Sequence, residues 1–170
     1  MNPSERVYIS LGANLGDRQA YLREACERLA PHARVLKASK IYRTPPWGYH
    51  QQPEFLNQVI EIETHLTPPA LLNELKKIEK DLGRVESFRF GPRCIDMDIL
   101  FYGDLTYLSE NLVIPHPVLA ERAFVLVPLQ EIAPQLMHPQ LHLTITDLLE
   151  RVDSQAIREF QEDQEPDEAL

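Results

Sequence analysis

Two aspartates, Asp96 and Asp98, interrupt the run Cys94-Ile95-Asp96-Met97-Asp98-Ile99-Leu100-Phe101-Tyr102, which is otherwise apolar and strand-like. Residues i and i+2 of a strand point to one face, so the carboxylates stand side by side with Cα atoms roughly 7 Å apart. Like charges so placed raise each other's proton affinity unless a cation neutralises them. Paired carboxylates are hard oxygen donors that suit Mg²⁺, which keeps waters and takes further ligands from substrate phosphates. The competing interpretation is the solvated outer face of an edge strand. Against it stand the poor fit of aspartate to strands and its recurrence at spacing two.

Upstream, Arg84, Arg89 and Arg93 punctuate a charged loop that also holds Phe90 and leads straight into the carboxylate strand. Guanidinium forks bind phosphate oxygens bidentately, and a polyphosphate bridged to Mg²⁺ needs both partners close together. Such a loop alone is usually a solvated turn; its position next to Asp96 and Asp98 shifts the balance. Glu79 lies between Leu75 and Leu82 on a helical stripe, so it flanks the apolar face of its helix. Its spacing to Lys76 and Lys80 is not i,i+4, which predicts a polar role toward the sheet or a nucleotide. His116 is locked between Pro115 and Pro117, with Arg122 and Phe124 following. A rigid imidazole suits a phosphate donor, or a structural turn. His138 and His142 bracket Pro139 in a loop and make a poor zinc pair.

A binding wall for a flat heterocycle is also legible. Thr44-Pro45-Pro46-Trp47-Gly48 fixes a stretch of backbone, and Phe55-Leu56-Asn57 opens the next strand. Phe55 and Phe124 suit a sandwich, and Asn57 pairs with an amide-like edge. Each aromatic taken alone reads as core.

The elements that must position these residues follow from period and punctuation. Val7–Leu11 reads as a strand, and Asp17 onward as a helix carrying Tyr21, Leu22, Ala25, Cys26 and Leu29 on one face, stopped by Pro31. Val35–Tyr42 predicts a second strand and Phe55–His65 a third, with Phe55, Asn57, Val59, Glu61 and Glu63 sharing one face. Thr67-Pro68 starts a helix that turns Leu71, Leu75, Ile78 and Leu82 inward and ends at Gly83. Ile95–Tyr102 is the fourth strand. Short helical pieces are expected near 118–123 and 147–152, around an apolar stretch at 124–129. The order strand, helix, strand, strand, helix, strand predicts an α+β, ferredoxin-like βαββαβ sandwich: a mainly antiparallel sheet with helices packed on it.

Composition bounds the rest. The 170 residues are 44% apolar and 25% charged, ordinary for one globular domain, with no run long enough to span a bilayer. The first residues lack a signal peptide's tripartite pattern, and two unrelated cysteines read as reduced thiols, so the expected compartment is the cytoplasm. Net charge is −9, of which residues 153–170 carry −6 as seven acids against one arginine. Residues 1–152 are read as one domain and 153–170 as an acidic, solvated tail. An acidic chain argues against nucleic acid as partner.

The motifs Tyr42-Arg-Thr-Pro-Pro, Phe55-Leu-Asn, Arg89-Phe-Gly-Pro-Arg93 through Asp96-Met-Asp98-Ile-Leu, and Pro115-His116 with Arg122 and Phe124 together resemble the 6-hydroxymethyl-7,8-dihydropterin pyrophosphokinases of folate biosynthesis. The likeness runs from about Tyr8 to Pro134. It implies a monomer that moves pyrophosphate from ATP to the pterin's hydroxymethyl oxygen, releasing AMP. Asp96 and Asp98 would hold two Mg²⁺ ions and act in catalysis with Arg84 and Arg93. Thr44, Pro45, Trp47, Phe55, Asn57, Asp96 and Phe124 would contact the pterin. Glu79, Arg84, Arg89, Phe90, Arg93, Ile99, His116 and Arg122 would serve the nucleotide. The chain departs from the family's usual pattern at Glu86 and Phe90, where an arginine and a tryptophan are common, at Met97, and at Asn111 and Val113. A non-catalytic Mg-nucleotide or pterin sensor on the same fold is the alternative, since fold does not fix function.

Overall fold

The computed structural model describes residues 3–45, 53–83 and 94–161. Strand β1 (Glu5–Ala13) runs longer than the sequence predicts and occupies the middle of an antiparallel sheet. It leads into helix α1 (Arg18–Leu29), whose N-cap Asp17 accepts the Ala20 N–H at 3.1 Å, worth about 1 kcal/mol. The single predicted strand 35–42 is two strands, β2 (Ala33–Ala38) and β3 (Tyr42–Thr44), both running along the outer edge of β4 (Phe55–Thr64). Helix α2 (Pro68–Asp81) begins at Thr67 and Pro68 as expected, and Gly83 beyond its end takes φ +93°, where a side chain would be strained. Strand β5 (Asp96–Tyr102) pairs with the other side of β1, leaving β5 at the sheet edge.

After β5 the expected helical pieces near 118–123 and 147–152 are present in part, and the strands between and beyond them were not predicted. A small hairpin of β6 (Tyr107–Leu108) and β7 (Val113–Ile114) comes first, then a 3-10 turn at Leu119–Glu121. The apolar stretch is α3 (Ala123–Ile132), and α4 (Ile145–Leu149) follows with a Thr144/Asp147 capping box. Of the tail assigned to solvent, residues to 161 are described. Arg158–Glu159 form β8, which pairs with β3, and the Phe160 N–H donates to the Ile41 carbonyl at 2.8 Å. Exposed backbone groups at the β3 edge take whatever strand is near, and acidic composition does not prevent that.

Helices cover both faces of the sheet. On one face Leu22, Ala25, Leu29, Leu71, Leu75 and Ile78 pack against Val7, Ile9, Leu11, Ile60, Ile62, Met97 and Ile99. On the other, Val125, Leu126, Leu129, Ile145 and Leu148 pack against Tyr8, Val59, Leu100 and Phe101. Each fully buried aliphatic side chain contributes about 1.5–3 kcal/mol through area removed from water. On that second side, among the described residues, Phe55, Asp96 and Asp98 at the starts of β4 and β5 are half-buried, and Thr44 and Asn57 beside them are buried.

Candidate active site

Burial along β5 alternates as the pattern requires: Met97 and Ile99 are 2% and 3% exposed, while Asp96 and Asp98 are half-buried. The two carboxylates therefore share the face opposite α1 and α2. A bulge opposite Tyr8 and Ile9 inserts Leu100 as an extra residue, so Leu100 and Phe101 both reach the α3 side. The strand thus passes from an open, acidic half to a closed, apolar half within five residues.

Register aligns the site across three strands. Asp96 pairs with Gly12, and Gly12 pairs with Asn57; one step away, Asp98 pairs with Ser10 and Ser10 with Val59. Directly opposed residues of an antiparallel sheet point to the same face. Asp96, Gly12 and Asn57 therefore form one row, with a carboxylate at one end and an amide at the other. Gly12 keeps the middle low: a Cβ there would lie 3.1 Å from Asn57 Oδ1 and 3.9 Å from the Phe55 ring. Asn57, 7% exposed, donates from Nδ2 to Thr44 Oγ1 at 2.7 Å. This fixes the amide plane. Pro45 lies exposed beyond Thr44, and Phe55 is half-buried at the start of β4. Trp47, Arg84, Arg89, Phe90 and Arg93 lie outside the described residues.

His116 and Arg122 approach the row from the β7–α3 connection. The His116 N–H donates to the Leu100 carbonyl at 3.0 Å, anchoring the residue along β5. Its Nδ1 accepts the Val118 N–H at 3.3 Å, which leaves the proton of a neutral ring on Nε2. Burial, with the nearby charge of Arg122, pushes the imidazole down to about 4 against an opposing pull from Asp96. At neutral pH the ring is thus a neutral donor. Arg122 Cζ lies 5.6 Å from the centroid of the half-buried Phe124 ring, a cation–π stack at the entry to α3.

The depressed pKa has a stability consequence with a definite sign. Between the ordinary value of about 6.5 and about 4, the unfolded chain binds a proton that the folded chain excludes, so this contribution is present above that window and lost as pH falls. We expect wild type to lose about 2.5 kcal/mol more than His116→Gln between about pH 7 and 4.5. Urea unfolding of both proteins at the two pH values measures it. Equal losses would place the imidazole in an ordinary, solvated setting.

Glu79 and Ile99 are both drawn inward. Glu79 is 1% exposed, as its place beside the apolar stripe predicts, and its Oε2 accepts the Met97 N–H at 3.3 Å. It thus supports the edge strand from behind, between the two aspartates. The lysine pairing dismissed on spacing is present: Lys76 Nζ lies 3.9 Å from Glu79 Oε1, an i,i+3 contact in place of i,i+4. The Ile99 side chain sits in the α1/α2 core, which leaves its main chain as the part able to meet a nucleotide. His138 Nδ1 accepts the N–H groups of Gln140 and Leu141, and the ring packs edge-on to Phe101, a turn-forming role.

Gly12 and Asn14 fall between the predicted strand Val7–Leu11 and the helix from Asp17, and the sequence reading assigns neither of them to the site. A glycine inside a strand pattern is itself a signal of close approach, available without coordinates. Asn14, 1% exposed, donates to the Pro53 carbonyl at 3.2 Å and so ties the end of β1 to the lead into β4. No local pattern announces that contact.

The arrangement can neutralise anions at one end and read a planar polar edge at the other. Among the described residues no three His, Cys, Asp or Glu side chains converge. The aspartate pair alone is a donor set that fits Mg²⁺ completing its shell with substrate oxygens and water. No helix among the described residues is long and apolar enough to cross a membrane.

Residues 8–134 match the family model of 7,8-dihydro-6-hydroxymethylpterin-pyrophosphokinase. The chain is 52% identical over 134 residues to a 2-amino-4-hydroxy-6-hydroxymethyldihydropteridine pyrophosphokinase of Methylorubrum extorquens, covering 78% of this chain and 85% of that one. It is 48% identical over 132 residues to the protein of that name in Bacillus subtilis, covering 76% and 79%. The folic acid synthesis protein fol1 of Pneumocystis carinii is 47% identical over 150 residues; 88% of this chain is covered. This chain spans about a fifth of that fungal relative's length, as it does of the Schizosaccharomyces pombe protein (20% and 21%). The fold is similar to that of wild-type Plasmodium falciparum HPPK-DHPS, with TM-score 0.71 at 16% identity over 89% of this chain and 45% of that one. By the matched span and these identities, the chain belongs to the 7,8-dihydro-6-hydroxymethylpterin-pyrophosphokinase family.

Proposed function

We propose that the chain transfers pyrophosphate from ATP to the hydroxymethyl oxygen of 6-hydroxymethyl-7,8-dihydropterin, giving the pterin diphosphate and AMP. The observation that supports this best is the row Asp96–Gly12–Asn57, which sets a recogniser for an anionic polyphosphate and one for an amide-edged heterocycle on one face. The names of the bacterial relatives carry the same pterin and the same transferred group. The strand order β5-β1-β4 with β2 and β3 both on the far side of β4, and α1 and α2 as crossovers, fits a ferredoxin-like βαββαβ arrangement. We read the enzyme as a cytoplasmic monomer, with residues 1–152 as the catalytic domain and the acidic end outside the chemistry.

Asp96 and Asp98 would hold two Mg²⁺ ions, which supply charge neutralisation to the ATP phosphates and polarise the β-phosphorus. The chain's own residues do the positioning. Asn57, held by Thr44, takes the pterin's amide edge, while Phe55 and Phe124 stack its faces beside Pro45 and Trp47. Arg84, Arg89, Arg93, Arg122 and the Nε2–H of His116 hold phosphate oxygens, and Glu79, Phe90 and the Ile99 main chain face the nucleoside. Oriented in line, the hydroxymethyl oxygen attacks the β-phosphorus and AMP leaves; catalysis is mainly orientation and electrostatics. In this reading Asp98 helps to take the hydroxyl proton. A pH–rate profile that keeps its shape in Asp98→Asn would sink that role.

The reaction is tested by mixing the protein with labelled ATP, Mg²⁺ and 6-hydroxymethyl-7,8-dihydropterin and separating the nucleotides. AMP formed only with pterin present is the expected result. Tight binding of both ligands without AMP would make the protein a sensor, and release of ADP would contradict the transferred group.

A further inference from the structure

On the assumption that this reaction is the chain's activity, we infer that Glu131 is a positioning residue for the pterin subsite: with Tyr42 and the main chain of Lys40 it fixes where α3 holds Phe124. Both Glu131 carboxylate oxygens accept the Lys40 N–H, at 3.2 and 3.0 Å, and Oε1 also accepts the Tyr42 hydroxyl at 2.6 Å. Among the described residues these are the side-chain hydrogen bonds that join α3 to the sheet; Gln130, the other polar side chain of α3, accepts from Thr146 of α4 instead. A carboxylate acceptor makes each bond shorter and stronger than a neutral one.

The clasp lies in line with the site at both ends. Tyr42 pairs with Asn57 in register, so it extends the row Asp96–Gly12–Asn57 by one strand. Phe124 and Glu131 are seven residues apart, within about 20° of two full turns and about 10 Å along the axis. They therefore lie on one side of α3, and a carboxylate held at one end fixes the rotation that presents the ring at the other. Little else does so. Helix α3 has no side-chain N-cap, and Pro128 inside it removes a backbone donor. Apolar packing of Val125, Leu126 and Leu129 resists lifting of the helix, yet it tolerates small slides and rotations that a directional hydrogen bond does not.

The test measures the affinity of 6-hydroxymethylpterin by its fluorescence, with Mg²⁺ and a non-hydrolysable ATP analogue present. The proteins are wild type, Tyr42→Phe, Phe124→Ala and the double variant. Tyr42→Phe should weaken pterin binding roughly fivefold, the scale of one exposed charge-assisted hydrogen bond, with nucleotide affinity unchanged. In the Phe124→Ala background it should add nothing, because the phenol acts through that ring. Glu131→Gln, which keeps an acceptor, should fall between wild type and Glu131→Ala. Full additivity of Tyr42→Phe with Phe124→Ala, or pterin binding unchanged in Tyr42→Phe, would overturn the assignment. If wild type itself fails to bind pterin, the proposed reaction falls first and the clasp's role with it.

Discussion

Asp96→Ala is expected to lower turnover at least about 10³-fold while leaving the fold intact. Removing one preorganised group aimed at developing charge costs about 10²–10³, and a carboxylate that also anchors a cation costs more. The fold should survive because packing on β5 is carried by Met97 and Ile99 on one face and by Leu100 and Phe101 beyond the bulge. Asp96 itself is half-buried and pairs with the glycine of the row. Truncation also relieves like-charge repulsion with Asp98 in the absence of a cation. The melting temperature of the metal-free variant should therefore stay near that of wild type. Addition of Mg²⁺ with ATP analogue should raise the wild-type melting temperature and leave the variant nearly unmoved, since only ligands of the folded state stabilise it. Single-turnover kinetics with thermal melts reads both. A variant that keeps a tenth of normal turnover would remove the aspartate pair from the mechanism.

The half of the fold before Tyr102 was legible because its signals are local. Thr67-Pro68 and Gly83 bound α2 within a residue, and the period-two alternation of β4 put Phe55, Asn57, Val59, Glu61 and Glu63 on one face as observed. The polar residues of that face do not mark solvent: Glu61 is 2% exposed and accepts the Tyr8 hydroxyl at 3.1 Å, with Arg6 3.6 Å away. A second helical layer covers it. The layer was hard to foresee because α3 contains Pro128 and so many apolar residues that it shows no amphipathic stripe. β6, β7 and β8 are two residues each, below the length at which alternation can be seen, and their pairing depends on edges supplied from far along the chain.

The site followed the same division. Asp96, Asp98 and Asn57 were readable as types at a spacing, since a strand converts sequence parity into a shared face. Their alignment across β1 was not, because register is a relation between strands distant in the chain, Gly12 pairing with both Asn57 and Asp96, and one slip reverses every side chain. Gly12 is where that relation becomes visible: it separates the acidic end of the row from the amide end, and any side chain there presses on Asn57.

Asn57→Leu should therefore weaken pterin recognition strongly while sparing the nucleotide. Leucine matches asparagine in bulk, so the contact with Gly12 and the β4 pairing persist. What disappears is the amide, together with the donor that Thr44 Oγ1 receives at 2.7 Å. Leaving one buried hydroxyl short of its partner costs about 1–3 kcal/mol of stability, which this fold tolerates. Sites built to hydrogen-bond a ligand discriminate by up to about 10⁴–10⁵ when that bonding is lost entirely. With stacking on Phe55 and Phe124 retained, we expect kcat/KM for pterin to fall about 10²–10³-fold and the dissociation constant for the ATP analogue to change less than about twofold. Thr44→Val is the discriminating companion. It removes the group that orients the amide and leaves the amide itself, so its loss should be nearer tenfold, on the scale of one hydrogen bond. Equal losses in Asn57→Leu and Thr44→Val would mean that the pair serves the sheet alone, and a loss of nucleotide affinity in Asn57→Leu would mean that the amide end of the row is not separate from the acidic one.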